Sequence, residues 1–314
     1  MERFNKQRFK NICLAGDYHQ VIAYLNSISD GGKWLKKYRA VFEGDKYLLK
    51  ADDEGIAKLL RIYEDYLKWA LTNETTTEQC KNHLLEKLSP IFPDISAWED
   101  LVKAVNNFIK EKGYHGMLGV ILPYPNIMLW KKQTTKRVKV KLPSGNAEID
   151  VVRMGGVITR GWASYLSWDK VGAGGWVTPT GTNYFAGQYN TFSSGFKVGL
   201  LKHEAQHFYD LQNFPDMKGA ELEYRAKLVE MIYLKNTKTL NSFMGRMGNE
   251  DGGDRDTNPH GHANRRIVQD LSGRIFGQDL ETDPRAWRKA KSKIPAIARE
   301  LLEEDSQTLK ENLE

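Results

Sequence analysis

Between Asp17 and about Gly113 apolar residues recur every three to four positions, most clearly at Ile56, Leu59, Leu60, Ile62, Tyr63, Tyr66, Leu67 and Trp69. A period near 3.6 places such residues on one stripe of a helix. Breaks at Gly31-Gly32, at Asn73-Glu74-Thr75-Thr76-Thr77 and from Pro90 to Pro93 divide this stretch into about four or five helices.

After Pro123 and Pro125 the period shortens to two. Arg137-Val138-Lys139-Val140-Lys141-Leu142 alternates polar with apolar, Pro143-Ser144-Gly145-Asn146 supplies turn chemistry, and Ala147 to Val152 extends again, which predicts a hairpin. Gly172-Ala173-Gly174-Gly175 then opens an extended run from Trp176 to Tyr189, rich in Thr, Tyr and Phe. Helical spacing returns at Phe196, Val198, Leu200 and Leu201, from Lys218 to Leu234, from Ala263 to Phe276 and from Pro284 to Leu302. The polar, glycine-rich stretch between Met244 and Pro259 reads as a mobile loop, and the tail after Glu303 as a frayed end. The pattern predicts a helix-rich α+β protein with a helical N-terminal region over 1–125 and a mixed region over 126–314.

Composition sharpens this only a little. A hydrophobic fraction of 40% in 314 residues, with eight Trp, fourteen Tyr and twelve Phe, suffices for a large core and excludes collagen-like or wholly disordered chains. The formal charge of +6 is too small for this length to imply a nucleic-acid partner, although it tolerates an anionic one. Cys13 and Cys80 are the two cysteines and form neither a spaced metal pair nor a disulfide framework. The first ten residues lack the apolar core of a signal peptide, and no run approaches about 18 uncharged apolar residues. The expectation is a soluble, cytoplasmic protein with no membrane partner.

The chemistry concentrates at His203-Glu204-Ala205-Gln206-His207, an H-E-x-x-H sequence within a helical pattern. Residues i and i+4 leave a helix on one face, so His203 and His207 can direct their imidazoles at one ion, for which zinc is the natural candidate. Glu204 lies beside the first ligand, in the position of a general base for metal-activated water. Removing that proton and returning it to a leaving amine is the chemistry of peptide hydrolysis. A catalytic zinc generally takes a third protein ligand. The longer H-E-x-x-H-x-x-G-x-x-H form is absent, because Asp210 and Asn213 occupy its glycine and third-histidine positions. A new helix begins after Phe214-Pro215-Asp216 and carries Glu221 and Glu223.

Here the sequence resembles the gluzincin group of zinc metallopeptidases, in which a Glu from a following helix joins the H-E-x-x-H histidines. The resemblance implies a zincin-like region, with a small sheet packed on the motif helix, and Glu223 as third ligand with the small Ala226 one turn on. Glu221 is the fallback, and Asp210 is either a ligand or an acceptor that orients a histidine. The resemblance also makes Trp176 to Tyr189 the cleft edge, pairing with the backbone of a peptide or protein substrate. A donor for the developing oxyanion is sought in Asn258-Pro259-His260-Gly261-His262, with His260 first and Tyr224, Tyr184 or Tyr189 behind it.

Other signals are weaker. The run from Lys131 to Lys141 holds six cations in eleven residues and reads as a solvated strand edge rather than a phosphate grip. Gly172 to Gly175 lacks the endings of phosphate or dinucleotide loops, and Asp251 to Asp256 does not match a twelve-residue calcium loop. Two rival functions stand beside the peptidase: an idle zinc-fold scaffold, and a nucleic-acid binder using the lysine run.

Overall fold

A computed structural model describes residues 2–178, 180–247, 255–256 and 258–311. Most of the expected mobile loop before Pro259, and the acidic residues from Asp251 to Asp254, lie outside the described residues. The chain is α+β and forms two compact units, Met1–Thr134 with Arg153–Gly174, and Thr135–Val152 with Gly175–Glu314.

The first unit contains α1 (Lys6–Leu14), α2 (Tyr18–Ser27), α3 (Gly32–Phe42), α4 (Glu54–Thr72), α5 (Thr77–Leu88) and α6 (Trp98–Glu111). Their starts follow from side-chain acceptors that satisfy first-turn amides. Asn5 accepts from Gln7 and Arg8, Asp17 from His19 and Gln20, and Thr76 forms a reciprocal capping box with Gln79. The apolar stripe of α4 is buried as the spacing required: Ile56, Leu59, Leu60, Tyr63, Tyr66 and Leu67 are fully buried with Phe9, Val21, Leu25 and Tyr38.

Strand β1 (His115–Ile121) had no counterpart in the sequence pattern, because Gly116 and Gly119 interrupt any alternation. It pairs antiparallel with the start of β2 (Tyr124–Lys141), Met117 opposite Met128. β2 begins well before Arg137 because Tyr124 to Trp130 is buried on both faces, and such a run shows no period of two. β3 (Asn146–Thr159) returns after the expected turn, where the Leu142 amide donates to the Gly145 carbonyl at 2.8 Å. A short α7 (Trp162–Ser167) buries Trp162, whose indole donates to the Ile121 carbonyl.

In the second unit the expected single run from Trp176 is a hairpin, β4 (Gly175–Thr178) and β5 (Gly181–Phe185), with Thr178 opposite Gly181. Gly181 makes this possible, since a Cβ there would meet the Asp150 carbonyl oxygen at 1.9 Å. The strand order is β1-β2-β3-β5-β4, so β4 is an edge. Helix α8 (Ser194–Phe196) leads through one π-helical turn (Lys197–Lys202) into α9 (His203–Asn213).

Then follow α10 (Gly219–Ile232), α11 (Lys238–Met244), α12 (Pro259–Phe276), α13 (Pro284–Ala290) and α14 (Ile294–Glu311). The segment from Pro284 is therefore two helices, and the expected frayed tail is helical to Glu311. Tyr224, Leu228, Val229, Ile267, Leu271, Trp287 and Ile294 form the core that fixes α10 and α12. Among the described residues no helix is long and apolar enough to cross a membrane.

Candidate metal centre

His203 is the first residue of α9, immediately after the π-helical turn, an irregularity that often accompanies functional sites. His207 follows one turn later. The two imidazoles meet edge to face with ring centres 4.7 Å apart. Ligand atoms of His203, Glu204 and His207 all lie within 4.8 Å of one another, so these residues form a cluster that can hold a metal ion.

Helix α10 supplies the opposite wall. Glu223 places one carboxylate oxygen 3.3 Å from Nε2 of His207 and the other 3.5 Å from Nε2 of His203. Both histidines thus present the same ring nitrogen to one carboxylate. Two turns along α10, Glu230 lies 2.9 Å from Nδ1 of His203. Helix α12 contributes His260, whose Nδ1 is 2.8 Å from Glu223. Pro259 occupies the first turn and Asn258 caps it, accepting from the Gly261 amide, which is the helix start that the sequence indicated for His260.

The electrostatics follow from this crowding. Burial opposes charge on His203, but the Glu223 and Glu230 carboxylates outweigh it and push the imidazole up to about 9. Burial would also raise Glu223, yet His203, His207 and His260 hold its carboxyl well below the usual range. Glu204 moves the other way: burial raises it, and the nearby histidines only partly offset this. Burial and then the Glu204 charge raise the Tyr189 phenol, which ties that side chain electrostatically to the cluster.

The remaining sequence assignments separate clearly. Glu221 pairs with Arg255 instead of facing the histidines. Asp210 is no histidine partner: fully buried, it accepts from Gln206 and faces the Arg225 Nε at 3.0 Å. The Tyr224 hydroxyl is committed to Asp270 at 2.6 Å, and Arg266 covers its ring. Tyr184 packs its ring against Tyr189 and Phe196. Within the lysine run, Lys131 pairs with Asp52, and Arg137 pairs with Asp150 and Glu148.

Glu230 and Lys227 were missed in the sequence. Their signal was present, because Glu223, Lys227 and Glu230 stand at i, i+4 and i+7 and so share one face of α10.

Comparison with family models, curated proteins and solved structures finds no match to this chain. The functional reading therefore rests on the chemistry of the site.

Proposed function

We propose that the chain is a zinc-dependent peptidase whose ion is held by His203, His207 and Glu223, in a region of zincin-like type resembling the gluzincins. The observation that carries this reading is the convergence of two Nε2 atoms on one carboxylate, at 3.3 and 3.5 Å. Ligands about 2.0–2.1 Å from one tetrahedral ion stand roughly 3.3 Å apart, which is the size of these two separations, each made to its own oxygen of Glu223. Nitrogen and oxygen donors of this kind suit zinc, and Glu230 behind His203 is the carboxylate that commonly fixes the tautomer of a ligating histidine.

Zinc held there supplies Lewis-acid polarisation of water and of the scissile carbonyl. Glu204 takes the proton that the attacking water loses and delivers it to the departing amine nitrogen. Its carboxyl is raised by burial, which suits a group that must both accept and return a proton. His260 turns Nδ1 to Glu223, so its Nε2 donates to the developing oxyanion only when the ring is doubly protonated, with Tyr189 the alternative. Edge strand β4 offers main-chain groups to an extended peptide or protein substrate.

The test is an unbiased peptide cleavage screen with the wild type and Glu204→Gln. Cleavage by the wild type and none by the variant, with equal zinc content in both, supports the reading. Equal turnover removes Glu204 from the base role. Retained zinc with no cleavage of any peptide by either protein favours a binding scaffold.

A further inference from the structure

Two groups besides the ligating histidines close on Glu223, and both take the same oxygen. Lys227, one turn further along α10, brings Nζ to 3.0 Å from Oε2. His260 brings Nδ1 to 2.8 Å from that atom, which also lies 3.5 Å from Nε2 of His203, whereas Oε1 faces His207. The two holds differ in kind. The His260 side chain is 68% exposed, but that of Lys227 is 7% exposed and its ammonium lies 5.2 Å from the centre of the Phe243 ring. A buried ammonium persists only where it is paired, and Glu223 is the acid that pairs it.

A carboxylate with both oxygens available can grip an ion through both, which raises the coordination number. Catalytic zinc needs the opposite, three protein ligands and one position left open. An ammonium ion-paired with one oxygen biases the carboxylate towards the other. It also repels a divalent cation, and a buried repulsion of this kind is weakly screened.

We propose that Lys227 is a positioning residue that holds Oε2 of Glu223, biases this ligand towards one oxygen and loosens the grip of the site on its ion. The inference rests on the zinc reading above. Its test uses cobalt(II), whose visible bands are intense in four-coordinate sites and weak in five- or six-coordinate ones.

The cobalt-loaded wild type is expected to absorb strongly. Lys227→Met should weaken the bands and, with the buried cation–cation repulsion removed, bind zinc and cobalt about tenfold more tightly, and Lys227→Arg should restore both properties. A methionine variant with the wild-type spectrum, or with equal or weaker binding, overturns the inference while leaving the zinc reading in place, as does an arginine variant that restores neither. Weak bands in the wild type overturn it even should the methionine variant fail to fold. A wild type that takes up neither metal overturns the zinc reading as well.

Discussion

His203 and Glu230 are joined at 2.9 Å between Nδ1 and a carboxylate oxygen, so the first histidine of the motif is braced from behind while its Nε2 faces Glu223. The brace sets the ring orientation and leaves Nε2 as the nitrogen that could hold an ion. Glu230→Ala is therefore expected to weaken zinc binding by about 10- to 100-fold, read by competition with a coloured chelator. Unchanged affinity would show that the ring holds its orientation without Glu230.

The two acids at the start of α10 differ in role. Glu223→Ala is expected to strip zinc from the dialysed protein, whereas Glu221→Ala removes only a partner of Arg255 and leaves zinc content unchanged. The reverse ranking would reassign the third ligand.

Zinc binding should depend on pH in a definite direction. Before the ion enters, the paired carboxylates push His203 up to about 9, so near neutrality the imidazole carries a proton that zinc must displace. Affinity is expected to rise with pH through neutrality and to level off above about 9, with proton release measurable by calorimetry in buffers of different ionisation enthalpy. An affinity flat from about pH 6 to about pH 9 would contradict the charged state assigned to this side chain.

The first unit has its own buried acid. Burial raises Glu64, although the Leu48 and Leu49 amides and the Tyr165 hydroxyl donate to it. The folded state therefore holds the proton more tightly than the unfolded chain does. Its contribution to stability is full below the ordinary glutamate value and is lost as pH rises through the folded one. Glu64→Gln is expected to flatten the thermal-midpoint profile on the alkaline side of the ordinary glutamate value, and a slope identical to that of the wild type would place the dependence elsewhere.

Much of this architecture is written in local patterns. The stripe of α4, the turn at Pro143 to Asn146 and the start of α12 at Pro259 all follow from spacing and capping. What the patterns missed has physical reasons. The start of β2 is buried on both faces and shows no alternation, β1 is interrupted by glycines, and the β4–β5 hairpin depends on a close approach between Gly181 and the Asp150 backbone. The cluster divides in the same way. His203, Glu204 and His207 are legible because one helical turn brings them together. Choosing Glu223 over Glu221 requires the rotation of α10 about its own axis, which is set by the burial of Tyr224, Leu228 and Val229. The commitments of Asp210 to Arg225 and of Tyr224 to Asp270 arise from contacts distant in sequence that no spacing rule reports.

The most direct measurement is zinc per chain after exhaustive dialysis, by elemental analysis, in the wild type, His203→Ala and His207→Ala. About one zinc is expected in the folded wild type and essentially none in either variant. A wild type that keeps no zinc, or variants that keep as much as the wild type, would contradict the assignment of these two histidines to a metal centre.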